Sequence, residues 1–294
     1  MAAGESKAVI TLEIEGSIGS GKSTLAKALV KHRGGEVLPE TVNEPLLEAF
    51  YAAPKEFAFA FQLYMLQTRL HQMDLAEKCK EEKGWLVLDR GVVGDTIFAS
   101  LQHAQGNMTD QQYGLYKAVC KQRFPRQLSD RVDVLVYLDV SPQTCLKRVE
   151  QRSRTAEEKL PLEYLEALDL QYFHLLIDWL GGRLDGAMNI ARNAPPVVVL
   201  PWEEYGTVEA VAARIAECSK HQPKVTFVTA SVEGALDQEA TERAYAQLSA
   251  PSSTTPLTVV TFDWSQPHSN AFRRVVMHHL AAARHVQFVV HASV

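Results

Sequence analysis

Residues 14–25 read "IEGSIGSGKSTL", and how this stretch is interpreted decides the fold. Within it Gly16, Ser17, Ile18, Gly19, Ser20, Gly21, Lys22 and Ser23 satisfy G-x-x-x-x-G-K-[ST], the spacing of a phosphate-binding loop, and Thr24 continues the run. Glycines let the backbone curl so that several N–H groups face an anion, which a Cβ at each position would obstruct. In such a loop the lysine, here Lys22, reaches the terminal phosphates and the hydroxyl of Ser23 ligates Mg²⁺. A glycine-rich loop can match by chance, so the flanks matter. Ala8 to Ile14 reads as a buried strand and Ser23 to Lys31 has helical spacing, the strand-loop-helix setting that the motif requires.

Outward from the loop, apolar strands alternate with helices up to about Gln222. A short extended piece spans Glu36–Glu40 and a long helical region runs from about Pro54 to Glu82. Further strands are expected at Gly84–Asp89, Val132–Val140 and Pro196–Leu200. This alternation predicts a parallel sheet flanked by helices, with ligands at the carboxyl ends of the strands.

The chain has 294 residues, 46% of them hydrophobic, and a formal charge of −5. That is enough apolar material for a real core, and the charge offers no basic footprint for nucleic acid or an anionic membrane. Small substrates are the expectation. Cys79, Cys120, Cys145 and Cys218 are widely spaced and form no C-x-x-C, which speaks against zinc or a disulfide framework. With the first strand close to Met1 and no long apolar run, we expect no leader, no membrane span and a cytosolic protein.

Three clusters after strands are candidates for chemistry. Asp89-Arg90 ends an apolar strand, where a carboxylate near Mg²⁺ and a guanidinium near a migrating phosphoryl group belong; an Asp there can also simply cap the next element. Glu40 and Glu44, in "PETVNEP", lie on the same edge, and either suits a proton acceptor; spacing does not choose between them. Arg148 and Arg152 fall on one helical face and Arg154 follows, which fits either a solvated basic face balanced by Glu157 and Glu158 or a lid over phosphates.

In these features the chain resembles the deoxyribonucleoside kinase family, closest in flavour to its bacterial deoxyadenosine and deoxyguanosine kinase branch. The phosphate loop, "PETVNEPLLEAFY", "AFAFQLYMLQTRL", "LDRGVVGDTIFA", "RVEQRSR" and "LPLEYLEAL" occur in the family's order. The resemblance implies a P-loop kinase fold and ATP- and Mg²⁺-dependent phosphorylation of a deoxynucleoside 5′-hydroxyl, with purines favoured and deoxycytidine an alternative. It implies that Glu40 is the base, that Arg90 stabilises the transferring group, and that Asp89 lies near the metal. Tyr51 and Glu163 would hold the sugar 3′-hydroxyl, Gln62, Arg69 and Asp95 would read the base, and Phe61 and Phe98 would wall it. Arg148, Arg152 and Arg154 would form the lid, and the enzyme would be a homodimer. Two rivals are a thymidylate-type nucleoside monophosphate kinase and a non-catalytic, nucleotide-gated binding protein. The family's Asp/Glu-Arg-Ser is Asp89-Arg90-Gly91 here, a departure whose consequence the sequence leaves open.

The kinase domain is expected over 1–222 and a small α/β appendage over 223–294. The appendage has strands near 224–228, 257–262 and 286–290 and helices near 240–248 and 270–284, and "SAPSSTTP" breaks it in the middle. Oligomerisation or docking is its expected use.

Overall fold

The computed structural model describes residues 10–79, 84–123, 132–152, 154, 157, 160–180, 195–218, 225–231, 258–263, 270–281 and 286–292. They belong to two compact units, Met1–Lys220 and His221–Val294.

In the first unit β1 (Ile10–Glu15), β2 (Gly35–Leu38), β3 (Trp85–Asp89), β4 (Val134–Asp139) and β5 (Val197–Pro201) form a parallel sheet in the order β2-β3-β1-β4-β5. The register explains why distant motifs meet. Ile14 pairs with both Asp89 and Val136, and Leu38 pairs with Leu88, so the chain leaves β1, β2 and β3 at one level. The phosphate loop, Glu40 and Arg90 therefore emerge side by side at the carboxyl edge, where open α/β sheets bind ligands.

Side chains of β1 alternate between two faces. Leu12 and Ile14 pack in one cluster with Leu25, Ala26 and Leu29 of α1 (Lys22–Arg33) and with Val211, Ala212 and Ile215 of α8 (Val208–Cys218). Glu13 and Glu15 take the other face, against the start of α4 (Val92–Ala104). In turn α4 packs on α3 (Pro54–Lys78), α5 (Asp110–Arg123) and α7 (Leu162–Leu180), and α6 (Pro142–Arg152) also packs on α7. Helices thus cover both faces, as the alternation predicts.

One helix escaped the sequence reading. α2 (Glu44–Ala52) is a short element whose buried Leu47 and Phe50 give one helical repeat, too little to register as a period. Asn43 caps it by accepting the N–H of Leu46 at 3.0 Å. The long helix that follows runs Pro54–Lys78, and the end expected near Glu82 lies outside the described residues.

In the second unit β6 (Val225–Ser231), β7 (Thr258–Asp263) and β8 (Val286–Ala292) pair in parallel in the order β6-β8-β7. α9 (Asn270–Ala281) packs on β7 and β8 and buries Val276, Met277 and Leu280. The helix expected over 240–248 lies outside the described residues. No described helix is long and apolar enough to cross a membrane.

Candidate active site

A cavity of about 450 Å³ opens at the carboxyl edge of the five-stranded sheet. Its floor is the phosphate loop: Ile18, Gly19, Gly21, Lys22, Ser23 and Thr24 reach the wall, while Gly16, Ser17 and Ser20 build the turn behind them. Gly19 has φ +80, and a Cβ there would lie 2.9 Å from Val149 Cγ2, so both torsion and space demand glycine. Lys22 Nζ donates to Ser17 O at 2.8 Å and Gly16 O at 3.2 Å. Burial and the charge of Arg90 pull its pKa down to about 8, while Glu40, Asp89 and Glu15 oppose the fall.

Glu40 lies at the centre of the wall. Burial pushes its carboxyl up, but Arg69, Arg90 and Lys22 outweigh this and hold it at about 2, with 27% of the side chain exposed to the cavity. Arg69 donates to Glu40 Oε1, and Arg90 Nε stands 3.3 Å from the same oxygen. Glu44, the other acid that spacing allowed, lies 3.3 Å from Arg154 Nε and off the wall. Arg90 has φ +63, a left-handed conformation for a residue with a Cβ, which costs about 1–2 kcal/mol. Its N–H bonds Ile14 O at 3.1 Å, its Nη1 donates to the Tyr172 hydroxyl at 2.5 Å, and its guanidinium lies 4.7 Å over the Phe98 ring. The Tyr172 hydroxyl donates onward to Glu15 Oε2 at 2.8 Å. Asp89 is buried behind the wall, and its Oδ1 meets no hydrogen-bond partner among the described residues.

At the far end Gln62, Phe61, Arg69, Asp95 and Phe98 all line the cavity. Gln62 and Arg69 stand two helical turns apart on α3 and so share a face. Gln62 is 1% exposed and its Oε1 is unpartnered among the described residues. Phe61 stacks on Phe50 with centroids 4.9 Å apart. Asp95 accepts the Tyr116 hydroxyl at 2.5 Å, and burial pushes its pKa up to about 7 against the pull of Arg69 and Tyr116.

Arg148, Arg152 and Arg154 also line the cavity. Arg148 donates to Ser20 O at 3.1 Å and Glu203 O at 2.7 Å, and stacks 4.6 Å over Tyr205. Arg152 and Arg154 both pair with Glu157, which is 5% exposed, so this acid is a buried wall residue and not the solvated counter-charge of a surface face.

Tyr51 reaches the wall, and Glu163 does not. On the first turn of α7 Glu163 is exposed, whereas its neighbour Tyr164 faces the cavity; adjacent helical residues point about 100° apart. Burial, then Tyr164, Glu157 and Glu40, push the Tyr51 hydroxyl up, against the charge of Arg154.

Several wall or supporting residues escaped the sequence reading. Tyr205 follows the fourth apolar strand, where the rule that ligands sit after strands points to it. Glu15 ends β1 just before the loop and obeys the same rule. Tyr116, Tyr164 and Tyr172 sit on helices among apolar neighbours and give no signal of their own.

The family profile described as "Deoxynucleoside kinase" matches residues 12–222. A deoxyadenosine kinase of Dictyostelium discoideum is 33% identical over 213 residues, covering 69% of this chain and 77% of that protein. A deoxyadenosine/deoxycytidine kinase of Bacillus subtilis (strain 168) is 32% identical over 202 residues, covering 66% and 83%. A solved structure of deoxyadenosine kinase from M. mycoides superposes with TM-score 0.60 at 24% identity, over 71% of this chain and 100% of that one, a likeness of fold. With a phosphate loop, a carboxylate between two arginines and a nucleoside-sized cavity on one sheet edge, the chain belongs to the deoxynucleoside kinase family and is an enzyme that phosphorylates deoxynucleosides from ATP.

Proposed function

We propose that the acceptor is a purine deoxynucleoside, deoxyadenosine before deoxyguanosine, with deoxycytidine the second choice. The observation that carries this is the buried Gln62, which lines the cavity together with Asp95 and Arg69 and whose Oε1 is unpartnered among the described residues. An amide presents an acceptor and a donor side by side, which matches the N6 amine of adenine and its neighbouring ring nitrogen. The Dictyostelium relative is named for deoxyadenosine and the Bacillus relative for deoxyadenosine and deoxycytidine, which supports deoxyadenosine in first place. Comparing kcat/KM for deoxyadenosine, deoxyguanosine, deoxycytidine and thymidine tests it: the purines should lead, and thymidine in front overturns it.

In this reading Glu40 accepts the proton of the 5′-hydroxyl as that oxygen attacks the γ-phosphorus. The β–γ bridging oxygen leaves with the electron pair of the broken P–O bond as ADP. Glu40 is ionised at any working pH because three cations face it. Arg69 has to turn from Glu40 toward the base for the carboxylate to regain basicity. Lys22, Arg90 and the lid arginines meet the charge on the transferring group, and most of the rate comes from this preorganised field. Tyr205, stacked on Arg148, gives the donor purine an aromatic face.

For Mg²⁺ the donor set fits. Ser23 lines the cavity and carries a hydroxyl, and Asp89 offers a buried carboxylate oxygen without a partner among the described residues. Among the described residues no trio of His, Cys, Asp or Glu could cage a metal alone, and Mg²⁺ ordinarily combines one or two protein oxygens with water and phosphate. When bound, it neutralises charge across the β- and γ-phosphates.

At the sugar 3′-hydroxyl we keep Tyr51. Its partner is Glu163 by family resemblance, whereas Glu157 lines the cavity and Glu163 does not; whichever of Glu163→Gln and Glu157→Gln raises the nucleoside KM identifies it. The homodimer and the independence of 1–222 as a kinase domain are carried by the resemblance, and the cytosolic setting by widely spaced cysteines without a C-x-x-C. Sedimentation tests the homodimer and a chain ending at Gln222 the independence.

A further inference from the structure

Two glutamates lie inside the central strand. Glu13 and Glu15 are 0% and 1% exposed and point to the same face of β1, at the first turn of α4. Glu15 Oε1 accepts the N–H groups of Gly91 and Gly94, both at 2.9 Å, and its Oε2 accepts the Tyr172 hydroxyl. Glu13 Oε1 accepts the N–H of Val93 at 3.1 Å. Both carboxyl groups thus satisfy donors that the start of a helix leaves open.

Gly91 is where this chain departs from the family's Asp/Glu-Arg-Ser. Its backbone, φ −122 and ψ −151, is extended, so torsion does not call for glycine. Space does. A Cβ at position 91 would lie 2.5 Å from Glu13 Oε1 and closer still to its Cδ and Oε2. The carboxyl of Glu13 fills the volume that a side chain at 91 would occupy.

Glu13 Oε2 meets no donor among the described residues, and its neighbour is the Glu15 carboxyl, itself an acceptor. One proton reconciles them: carried on Glu13 Oε2, it is donated to Glu15. Burial first, then the charge of Glu15, push the Glu13 carboxyl well up, against the Val93 N–H and the charge of Arg69. Glu13 then adds no charge behind the transfer site, and Arg90 Nη1 stands 3.8 Å from Glu15 Oε2.

We propose that Glu13 is a positioning residue for phosphoryl transfer: seated in the space left at Gly91, its carboxyl donates to Glu15 and so fixes the carboxylate that holds Tyr172 and Arg90. This rests on the role given to Arg90 under Proposed function.

The test uses the full chain with saturating ATP and deoxyadenosine. Glu13→Ala should lower kcat about tenfold or more with both KM values within about threefold, and Glu13→Gln, whose amide can donate to Glu15, should stay within about threefold in kcat. Gly91→Ser should be slow or unstable, and Glu13→Ser combined with Gly91→Ser should recover about tenfold over Gly91→Ser alone. In an Arg90→Lys background Glu13→Ala should cost less than about threefold, which a merely structural loss would not produce. Wild-type kcat in Glu13→Ala, a Gln variant as slow as Ala, or no recovery in the double variant overturns the proposal. If Glu13→Ala fails to fold, the Gln variant and the recovery decide. Arg90→Lys at wild-type kcat overturns the reading of Arg90 itself; a slow Arg90→Lys beside an unaffected Glu13→Ala removes only this inference.

Discussion

Replacing Glu40 by Gln keeps the side chain's size and removes its charge, which makes it the sharpest perturbation of the site. General-base contributions run about 10²–10⁴-fold, so kcat for deoxyadenosine should fall about a hundredfold at least, or about 2.7 kcal/mol in the barrier. The nucleoside KM should stay within about threefold, because base and sugar contacts lie elsewhere on the wall. The same change deprives Arg69, 2% exposed, of its partner, while Arg90 keeps Glu15. Breaking a fully buried pair costs about 3–5 kcal/mol, and with 27% of Glu40 exposed to the cavity about 1–2 kcal/mol is expected. That corresponds to about 2–8 °C in Tm. Because its folded pKa lies at about 2, below the ordinary carboxylate value, the stabilisation from Glu40 is fully present above about pH 4.5 and is lost as pH falls toward 2. Steady-state kinetics at 25 °C with a thermal melt separate the two effects. A variant that melts lower but turns over within about threefold of wild type refutes Glu40 as the base and leaves it an anchor for Arg69.

Asp95 titrates near 7 in the fold and near 4 in an unfolded chain, so it weakens stability increasingly as pH rises from about 4 to 7; Asp95→Asn should melt higher than wild type at pH 8 and show no such gain at pH 4. Arg148→Ala and Tyr205→Ala should each raise the KM for ATP about three- to thirtyfold with smaller effects on the nucleoside KM, as loss of a stacked guanidinium and aromatic face implies; equal effects on both substrates would place the pair elsewhere than the donor site. Lys22→Met should abolish turnover while the circular dichroism spectrum stays native, and measurable kcat above about 1% of wild type contradicts its place at the phosphates.

Most of the architecture was legible because it is written in local pattern. Strand, glycine loop and helix around Lys22 predict one another, and the strand-end rule places Glu40, Asp89 and Arg90 at one edge from the sequence alone. Residues whose meaning depends on a distant partner were not legible. Glu157 looks like a solvated acid until Arg152 and Arg154 are seen folded onto it. Glu163 matches a motif, yet one helical step separates a side chain facing solvent from Tyr164 facing the cavity. Gly91 looks like a missing hydroxyl, and only three dimensions reveal that Glu13, far away in sequence, needs its space.

The acceptor itself is the most direct measurement of the central claim. The 294-residue chain is given γ-labelled ATP with Mg²⁺ and either deoxyadenosine or deoxyadenosine 5′-monophosphate, and the labelled product is identified. A carboxylate base serves an acceptor that has to lose a hydroxyl proton, which an ionised phosphate does not, so label should appear in deoxyadenosine 5′-monophosphate from the nucleoside and not in a diphosphate. Preferential label transfer to the monophosphate would contradict the account.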